Sequence, residues 1–386
     1  MLPLPGLRLS RLRLRKASRM RPETAVVLAA GASSRMGACK LLRLLGDRSA
    51  LEVAVERLRL AGVKDVLVVT GFHGEKVGSL ARSLGCRTTT NPAPERGMLS
   101  SVQCGIAAAG PQAVGVFLLP GDTPLVKPRT YQALAGRFSE GIDLLIPFFG
   151  NRPGHPPVIG RRHFEGILSW KGEGGLKGYF DSLPAVPERV SVADQAILMD
   201  MDTPEDYEAL LEYWRYEDCP NKAECGELLE LAGTPAPVRG HGHAVARVAR
   251  KLALALPPGT GVRLERLEAA CLLHDVKKGF NPHQHVGADW LAMQGYPGLS
   301  PLVRSHHDLP PEEENWETRL LYLADKLTSG TEVVPLESRL DSMRARFSGD
   351  RVALEAAEVR LGHARAILGE VESLAGKSLG EILEKP

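Results

Sequence analysis

A change of period partway along the chain limits its possible folds more than any other feature. Between Thr24 and about Tyr213, short apolar runs alternate with amphipathic stretches; beyond that point only the helical period remains. The run Ala25-Val26-Val27-Leu28-Ala29-Ala30, closed by Gly31, has the pattern of a strand buried on both faces. A helix is expected over 50–61, with Leu51, Val55, Leu58 and Ala61 on one face, followed by a strand over 65–70, a helix over 74–84 and a strand over 87–90. A helix over 100–109 and a strand over 114–119 come next. Strand and helix repeating at this interval build βαβ units with a parallel sheet, hence a doubly wound α/β domain that binds ligands at the carboxyl ends of its strands.

Residues 217–237 are rich in proline, glycine and charge and read as a linker with room for one short helix. Helices are then expected over 243–256, 264–278, 285–294, 302–306, 318–328 and 337–379, making the second domain all-helical. The expected division is a basic tail over 1–22, an α/β domain over 23–216, the linker, and a helical domain over 238–386. Two domains suit a length of 386 residues, at roughly 100 to 200 residues each.

The net charge of +2 conceals an asymmetry. Arg8, Arg11, Arg13, Arg15, Lys16, Arg19 and Arg21 crowd the first 21 residues with no acid among them, so the remainder is net acidic. Such a body lacks the basic face of a nucleic-acid binder, and polymeric nucleic acid is not expected as a partner. The tail is either a disordered arm or a mis-assigned start, with Met20 as the true initiator. Six scattered cysteines do not form a disulfide framework and fit a reducing cytoplasm. The uncharged stretch 97–121 is broken by Pro111, Ser100, Ser101, Gln103 and several glycines, so no membrane span is expected.

After the first strand, Gly31-Ala32-Ser33-Ser34-Arg35-Met36-Gly37-Ala38-Cys39-Lys40 forms a small-residue loop that lets backbone N–H groups approach phosphate oxygens, with Arg35 and Lys40 adding charge. Alone, such a turn serves helix packing as readily as phosphate. Asp122, in Pro120-Gly121-Asp122-Thr123-Pro124, falls at the carboxyl end of the fourth strand, on the same sheet edge. A carboxylate beside a phosphate cradle is where Mg²⁺ would be held. Asp200-Met201-Asp202-Thr203-Pro204 offers two more acids ahead of a helix start, one able to cap and the other to complete the metal site.

Residues 28–40 resemble the L-A-A-G-x-S-x-R-M-G-x-x-K signature of the nucleotidyltransferases of molybdenum cofactor maturation. The resemblance extends over 24 to about 210 and implies that Leu28, Ala29, Ala30, Gly31, Ser34, Arg35 and Lys40 bind the triphosphate. Asn91, Gly97, Ser100 and Ser101 match the segment that lies against base and ribose, and Asp122 and Asp202 match the Mg²⁺ aspartates. Arg35, Lys40 and Asp122 would be catalytic. Ala30, where the guanylyl-transferring branch has glycine, points to the cytidylyl branch, as does Gly154-His155-Pro156-Pro157, with His155 near the acceptor. The run Lys171-Gly172-Glu173-Gly174-Gly175-Leu176-Lys177 departs from that branch's G-D-x-G-A-R pattern. The resemblance implies transfer from CTP or another NTP to a molybdopterin-type cofactor, with a molybdenum hydroxylase or its maturation factors as protein partners; a sugar- or polyol-phosphate acceptor is the alternative.

The helical region delivers His243, His274-Asp275, His285, His306-His307 and Asp325 from separate helical segments, donor types suited to a divalent transition metal. A lone histidine there would be an ordinary packed or surface residue. The order H…HD…H…H…D resembles the HD-domain metal-dependent phosphohydrolases over 238–335. The resemblance implies His243, His274, Asp275, His285, His306 and Asp325 as ligands of two ions such as Mn²⁺, Fe²⁺ or Co²⁺, with Asp275 bridging and catalytic. His243 is preferred to His241 because Val245, Val248, Ala249 and Leu252 would lie behind it. A nucleotide-sensing module that keeps its metal box is the alternative. His73 and His163 read as surface residues.

Overall fold

The computed structural model describes residues 21–32, 39–310, 312–346 and 349–384. The basic-tail expectation therefore lies almost wholly outside the described residues, as do Ser34 and Arg35. The first domain runs β1 (Thr24–Ala29), β2 (Leu44–Leu45), β3 (Arg48–Ser49), α1 (Ala50–Leu60), β4 (Asp65–Thr70), α2 (Gly74–Ser83), β5 (Arg87–Thr90), α3 (Met98–Ala108), β6 (Gly115–Pro120) and α4 (Pro128–Arg137). It continues through β7 (Leu144–Phe149), β8 (Arg152–Pro153), β9 (Val158–Gly160), α5 (Phe164–Ser169), α6 (Gly175–Asp181), β10 (Glu188–Ser191) and α7 (Pro204–Arg215).

The main sheet has the order β10-β7-β9-β6-β1-β4-β5, with β8 paired to β7. Strand β1 is parallel to both neighbours, Val27 facing Val68 on one side and Leu119 on the other. Successive side chains alternate between faces. Ala25, Val27 and Ala29 pack with α1 and α4, whereas Val26 packs with α3, α5 and α6. The fold is thus α/β with helices on both faces, as expected. The sheet is not parallel throughout: β9 runs antiparallel to β6 and β7, because it returns directly from the β7–β8 hairpin without a helical crossover.

The second domain comprises α8 (Lys222–Leu231), α9 (Ala236–Ala255), α10 (Leu264–Leu273), α11 (His283–Met293), α12 (Ser300–Ser305), α13 (Trp316–Lys326), β11 (Thr328–Ser329), β12 (Glu332–Val333), α14 (Leu336–Arg346), α15 (Arg351–Ala375) and α16 (Leu379–Glu384). The short helix for which the expected linker left room is present. Half of the expected linker is α8, started by a capping box between Asn221 and Glu224, and its Cys225, Leu228 and Leu229 belong to the helical core. The domain is helical as expected, with one two-residue hairpin in which Thr328–Ser329 pairs with Glu332–Val333 around Gly330, which has φ +57°. No helix among the described residues is long and apolar enough to cross a membrane.

Candidate functional sites

In the α/β domain the strand order brings the carboxyl ends of β1 and β6 side by side. The Gly121 N–H donates to Leu28 O at 2.9 Å, and a Cβ on Gly121 would stand 2.8 Å from that oxygen, so only glycine lets the two loops meet. Lys40 opens a 3-10 turn whose Leu41 is buried, which holds the lysine over the sheet edge. Its Nζ donates to Asp202 Oδ1 at 2.9 Å and to Asp122 Oδ2. Burial of the ammonium works against its charge, but Asp122 and Asp202 outweigh this and raise its pKa. Asp200 shifts upward, first through burial and then through repulsion by Asp202 and Asp122. Helix α7 is capped by Thr203 with Asp206, so neither Asp200 nor Asp202 serves as the cap.

This donor set fits Mg²⁺. Asp122 and Asp202 are hard oxygen donors that reach one common cation, and the buried hydroxyl of Thr123, next to Asp122 in the chain, has no hydrogen-bond partner. Other residues expected here act as framework. Ala29 and Ala30 are buried, and Ala30 O accepts from Phe72 N at 3.4 Å, while Gly31 is open to solvent. Asn91, at 2% exposure, donates through Nδ2 to Ser100 Oγ at 2.8 Å and Ser101 Oγ at 3.0 Å. The three side chains bond one another and so shape the loop through Gly97 (φ +90°). His155 is exposed on the lip of an apolar cavity of about 710 Å³ walled by Met98, Ile146, Phe148, Leu176 and Phe180.

In the helical domain, His241 on α9, His274 and Asp275 after α10, His283 at the start of α11, His306 after α12 and Asp325 on α13 converge. Donor atoms of His241, His274 and Asp325 lie within 4.8 Å of one another, as do those of His274, Asp275 and His306. Three of the histidines are aimed by backbone carbonyls, His274 and His306 by their own turns and His241 by a distant one. The Nδ1–H groups of His274, His306 and His241 donate to Cys271 O (2.8 Å), Val303 O (2.6 Å) and Gly330 O (2.9 Å). A carbonyl can only accept, so in each neutral ring the Nε2 lone pair points inward.

Of these, His274 Nε2 has no hydrogen-bond partner, whereas His241 Nε2 lies 3.0 Å from Asp325 Oδ1. His274 Nε2, Asp275 Oδ1 and His283 Nε2 are buried without hydrogen bonds, although His283 Nε2 approaches Asp275 Oδ1 to 3.1 Å. Orphaned acceptors facing one another are costly unless a cation lies between them, so the residues fit a divalent metal. Burial pushes His274 down to about 4. Burial opposes ionisation of Asp275, yet His283 and His306 hold its carboxyl well below the usual range. Lys278 Nζ bonds Asp275 Oδ2 at 2.9 Å and Lys326 Nζ bonds Asp325 Oδ2 at 2.8 Å. A cleft of about 440 Å³ opens beside the cluster, lined by these lysines and by Arg339 and Arg360 from α14 and α15.

Two expected ligands are displaced by two positions each. His243 is exposed, and His241 takes its place, with Nε2 at 3.0 Å from Asp325 Oδ1. The physical reason is helical phase: Val245, Val248 and Leu252 follow His241 by four, seven and eleven residues, whereas His243 is about 200° around the axis from His241. Likewise His285 is exposed, and His283, four residues before Gly287 and eight before Leu291, faces Asp275. The same spacing rule applied to the sequence would have selected both. His163 is buried between Asp143 and Tyr179 rather than exposed, and Lys277 lies over the Trp290 ring at 4.6 Å while Lys278 faces the site.

Comparison with known proteins matches residues 25–187 to the MobA-like NTP transferase domain and residues 238–330 to the HD domain. A bifunctional protein GlmU of Sorangium cellulosum is 32% identical over 153 residues, 38% of this chain and 32% of that protein, so the chain spans about a third of that relative. The molybdenum cofactor cytidylyltransferase of Escherichia coli is 24% identical over 183 residues, 47% of this chain and 92% of that protein. Among solved structures, Rv0371c of Mycobacterium tuberculosis is 26% identical with a TM-score of 0.44, covering 49% of this chain and 97% of that one. Two successive parts of the chain are thus similar to known families, residues 25–187 to the MobA-like NTP transferase domain and residues 238–330 to the HD domain.

Proposed function

We propose that the first domain transfers a nucleotidyl group from an NTP, CTP in preference, to the phosphate of a molybdopterin-type cofactor, releasing pyrophosphate. The observation that carries this reading is the meeting of Lys40, Asp122 and Asp202 at the carboxyl ends of β1 and β6. Mg²⁺ bound by the two aspartates would neutralise the phosphates. Lys40 would turn from the carboxylates to the leaving pyrophosphate, and the small-residue loop from Gly31, with Ser34 and Arg35, would hold the triphosphate. Leu28, Ala29 and Ala30 frame that loop, and Asn91, Ser100 and Ser101 shape the one that faces the base. The acceptor oxygen would attack the α-phosphate in line, with no covalent step on the protein. The apolar walls beside His155 suit a fused-ring acceptor better than a polyol phosphate, whose hydroxyls would meet few polar partners there.

The second domain is read as a phosphohydrolase using Mn²⁺, Fe²⁺ or Co²⁺. Such ions supply an activated water and a phosphate clamp when bound. His241, His274, Asp275 and Asp325 would hold one ion, and His283 and His306 a second, with Asp275 shared. Lys278, Lys326, Arg339 and Arg360 would receive the substrate's phosphate. A cytoplasmic setting, with a molybdenum hydroxylase or its maturation factors receiving the product, accords with six free cysteines. The test is pyrophosphate release from CTP, GTP and ATP with Mg²⁺, with and without molybdenum cofactor. Release is expected only with cofactor and fastest with CTP; release driven instead by a sugar phosphate would overturn the acceptor.

A further inference from the structure

The two segments that carry Asp122 and Asp202 both lead into one buried polar cluster built across the domain boundary. Five positions after Asp122, Lys127 is 8% exposed, and its Nζ donates to Glu224 Oε1 at 2.8 Å and to Tyr296 OH at 2.6 Å. Its backbone N–H donates to Asp194 Oδ2 at 2.8 Å. Asp194, eight positions before Asp202 and 3% exposed, also accepts from Thr130 Oγ1 at 2.6 Å and from Ala196 N at 3.2 Å. Glu224, 1% exposed on α8, accepts further from Tyr213 OH at 2.7 Å and Gln195 N at 3.2 Å. A second tie runs beside it: Arg57 donates to Leu125 O and pairs with Glu217, which lies between the domains.

Two buried carboxylates around one buried ammonium tolerate little displacement. Moving any member strands a charge away from water, and removing one partner of a buried pair is far costlier than losing an exposed one. The cluster therefore acts as a rigid post for residues 122–127 and 194–202 at once. The second of these segments also carries Ile197, whose carbonyl accepts from His155 N at 2.9 Å. Tyr296 belongs to the helical core, and Glu224 caps a helix that packs into the same core. Both lie beyond the residues matched to the transferase domain.

We infer that Glu224 and Tyr296 are positioning residues of the nucleotidyl-transfer site, setting the separation of Asp122 and Asp202 through Lys127 and Asp194. The inference rests on the transferase reading above. On this account the helical domain is a working part of the transferase, which needs more than its own α/β fold to present both carboxylates to one ion.

The test uses the full chain and the variants Tyr296→Phe and Glu224→Gln, with three readouts: the Mg²⁺ concentration for half-maximal CTP binding, the kcat and KM of pyrophosphate release, and the thermal midpoint. Tyr296→Phe keeps the ring and loses the hydroxyl that bonds Lys127 and Glu224, so the Mg²⁺ half-point should rise by about 10-fold, the lower end for supporting contacts around a metal site. Glu224→Gln should raise it further. The loss should appear in kcat, with the KM for CTP at saturating Mg²⁺ unchanged, and excess Mg²⁺ should restore part of the Tyr296→Phe rate. Unchanged Mg²⁺ half-points with only a lowered thermal midpoint would reduce the cluster to domain cement and overturn the inference. Should Glu224→Gln fail to fold, Tyr296→Phe decides alone. If the unmodified chain binds no NTP in a Mg²⁺-dependent way, the transferase reading falls and the inference falls with it.

Discussion

In the helical domain, four histidines and two aspartates reach one point from five helical elements, and backbone carbonyls fix three of the imidazoles in place. In the α/β domain, by contrast, Asp122 and Asp202 stand on loops at strand ends and meet through a lysine. His274 is fully buried and Asp275 nearly so, whereas the Asp202 side chain is 46% exposed. The contrast separates a preformed site from one completed by its substrate. Nitrogen donors held rigid and dry would suit a transition metal bound before substrate arrives, while two partly hydrated carboxylates would suit an ion that travels with a nucleotide.

The contrast breaks most sharply at the carboxylates. Asp122→Asn should cut pyrophosphate release by about 10³-fold while the metal content of the helical domain stays unchanged. Asp275→Asn should do the reverse, abolishing tightly bound transition metal and phosphomonoester hydrolysis while leaving transfer intact; elemental analysis and the two assays read both variants. Loss of both activities in either variant would mean that the sites are not separate.

Removing one imidazole should cost less. His241→Ala is expected to weaken metal binding by about 10- to 100-fold, the range for groups that support a metal site, and His243→Ala should stay within about twofold. Metal titration of the two variants compares residues two positions apart on one helix. The opposite ranking would overturn the assigned helical phase.

A smaller effect concerns pH. Burial holds His274 at about 4 in the folded chain, against about 6.5 for an unfolded imidazole. Between these values the unfolded chain takes up a proton that the folded one refuses, so the metal-free chain should lose stability as pH falls from about 6.5 towards 4. His241 shifts the other way: burial lowers its pKa, but the bond to Asp325 and that group's charge outweigh burial. The stability it contributes is therefore lost only as pH rises through its raised value. Thermal midpoints at pH 7 and pH 5 of the chelated His241→Ala variant, which lacks the opposing group, test this, and equal midpoints there would show that His274 is solvated.

Much of this was legible in the residues themselves. The alternation from Ala25 onward marks the α/β domain, because a strand buried on both faces must be apolar throughout. Asp122 and Lys40 were readable because strand ends and the loops after them are local features. The antiparallel β9 was hidden, since three residues cannot declare a direction. The place of α8 was also hidden, because Pro220, Gly226 and Gly233 read as a linker holding one short helix, and only the structure carries its Cys225, Leu228 and Leu229 into the helical core.

The sequence by itself determined the two-domain plan, the donor types and their order along the chain, since these depend on composition and on periods of a few residues. Only the tertiary structure decided that five helical elements bring His241, His274, Asp275, His283, His306 and Asp325 to one point, that Lys40 bridges Asp122 and Asp202, and that Glu224 and Tyr296 of the second domain reach Lys127 of the first. A helix presents a given face according to the neighbours it packs against, and those neighbours lie tens of residues away. Rotating α9 by two residues would leave its composition unchanged and exchange one histidine for the other at the site.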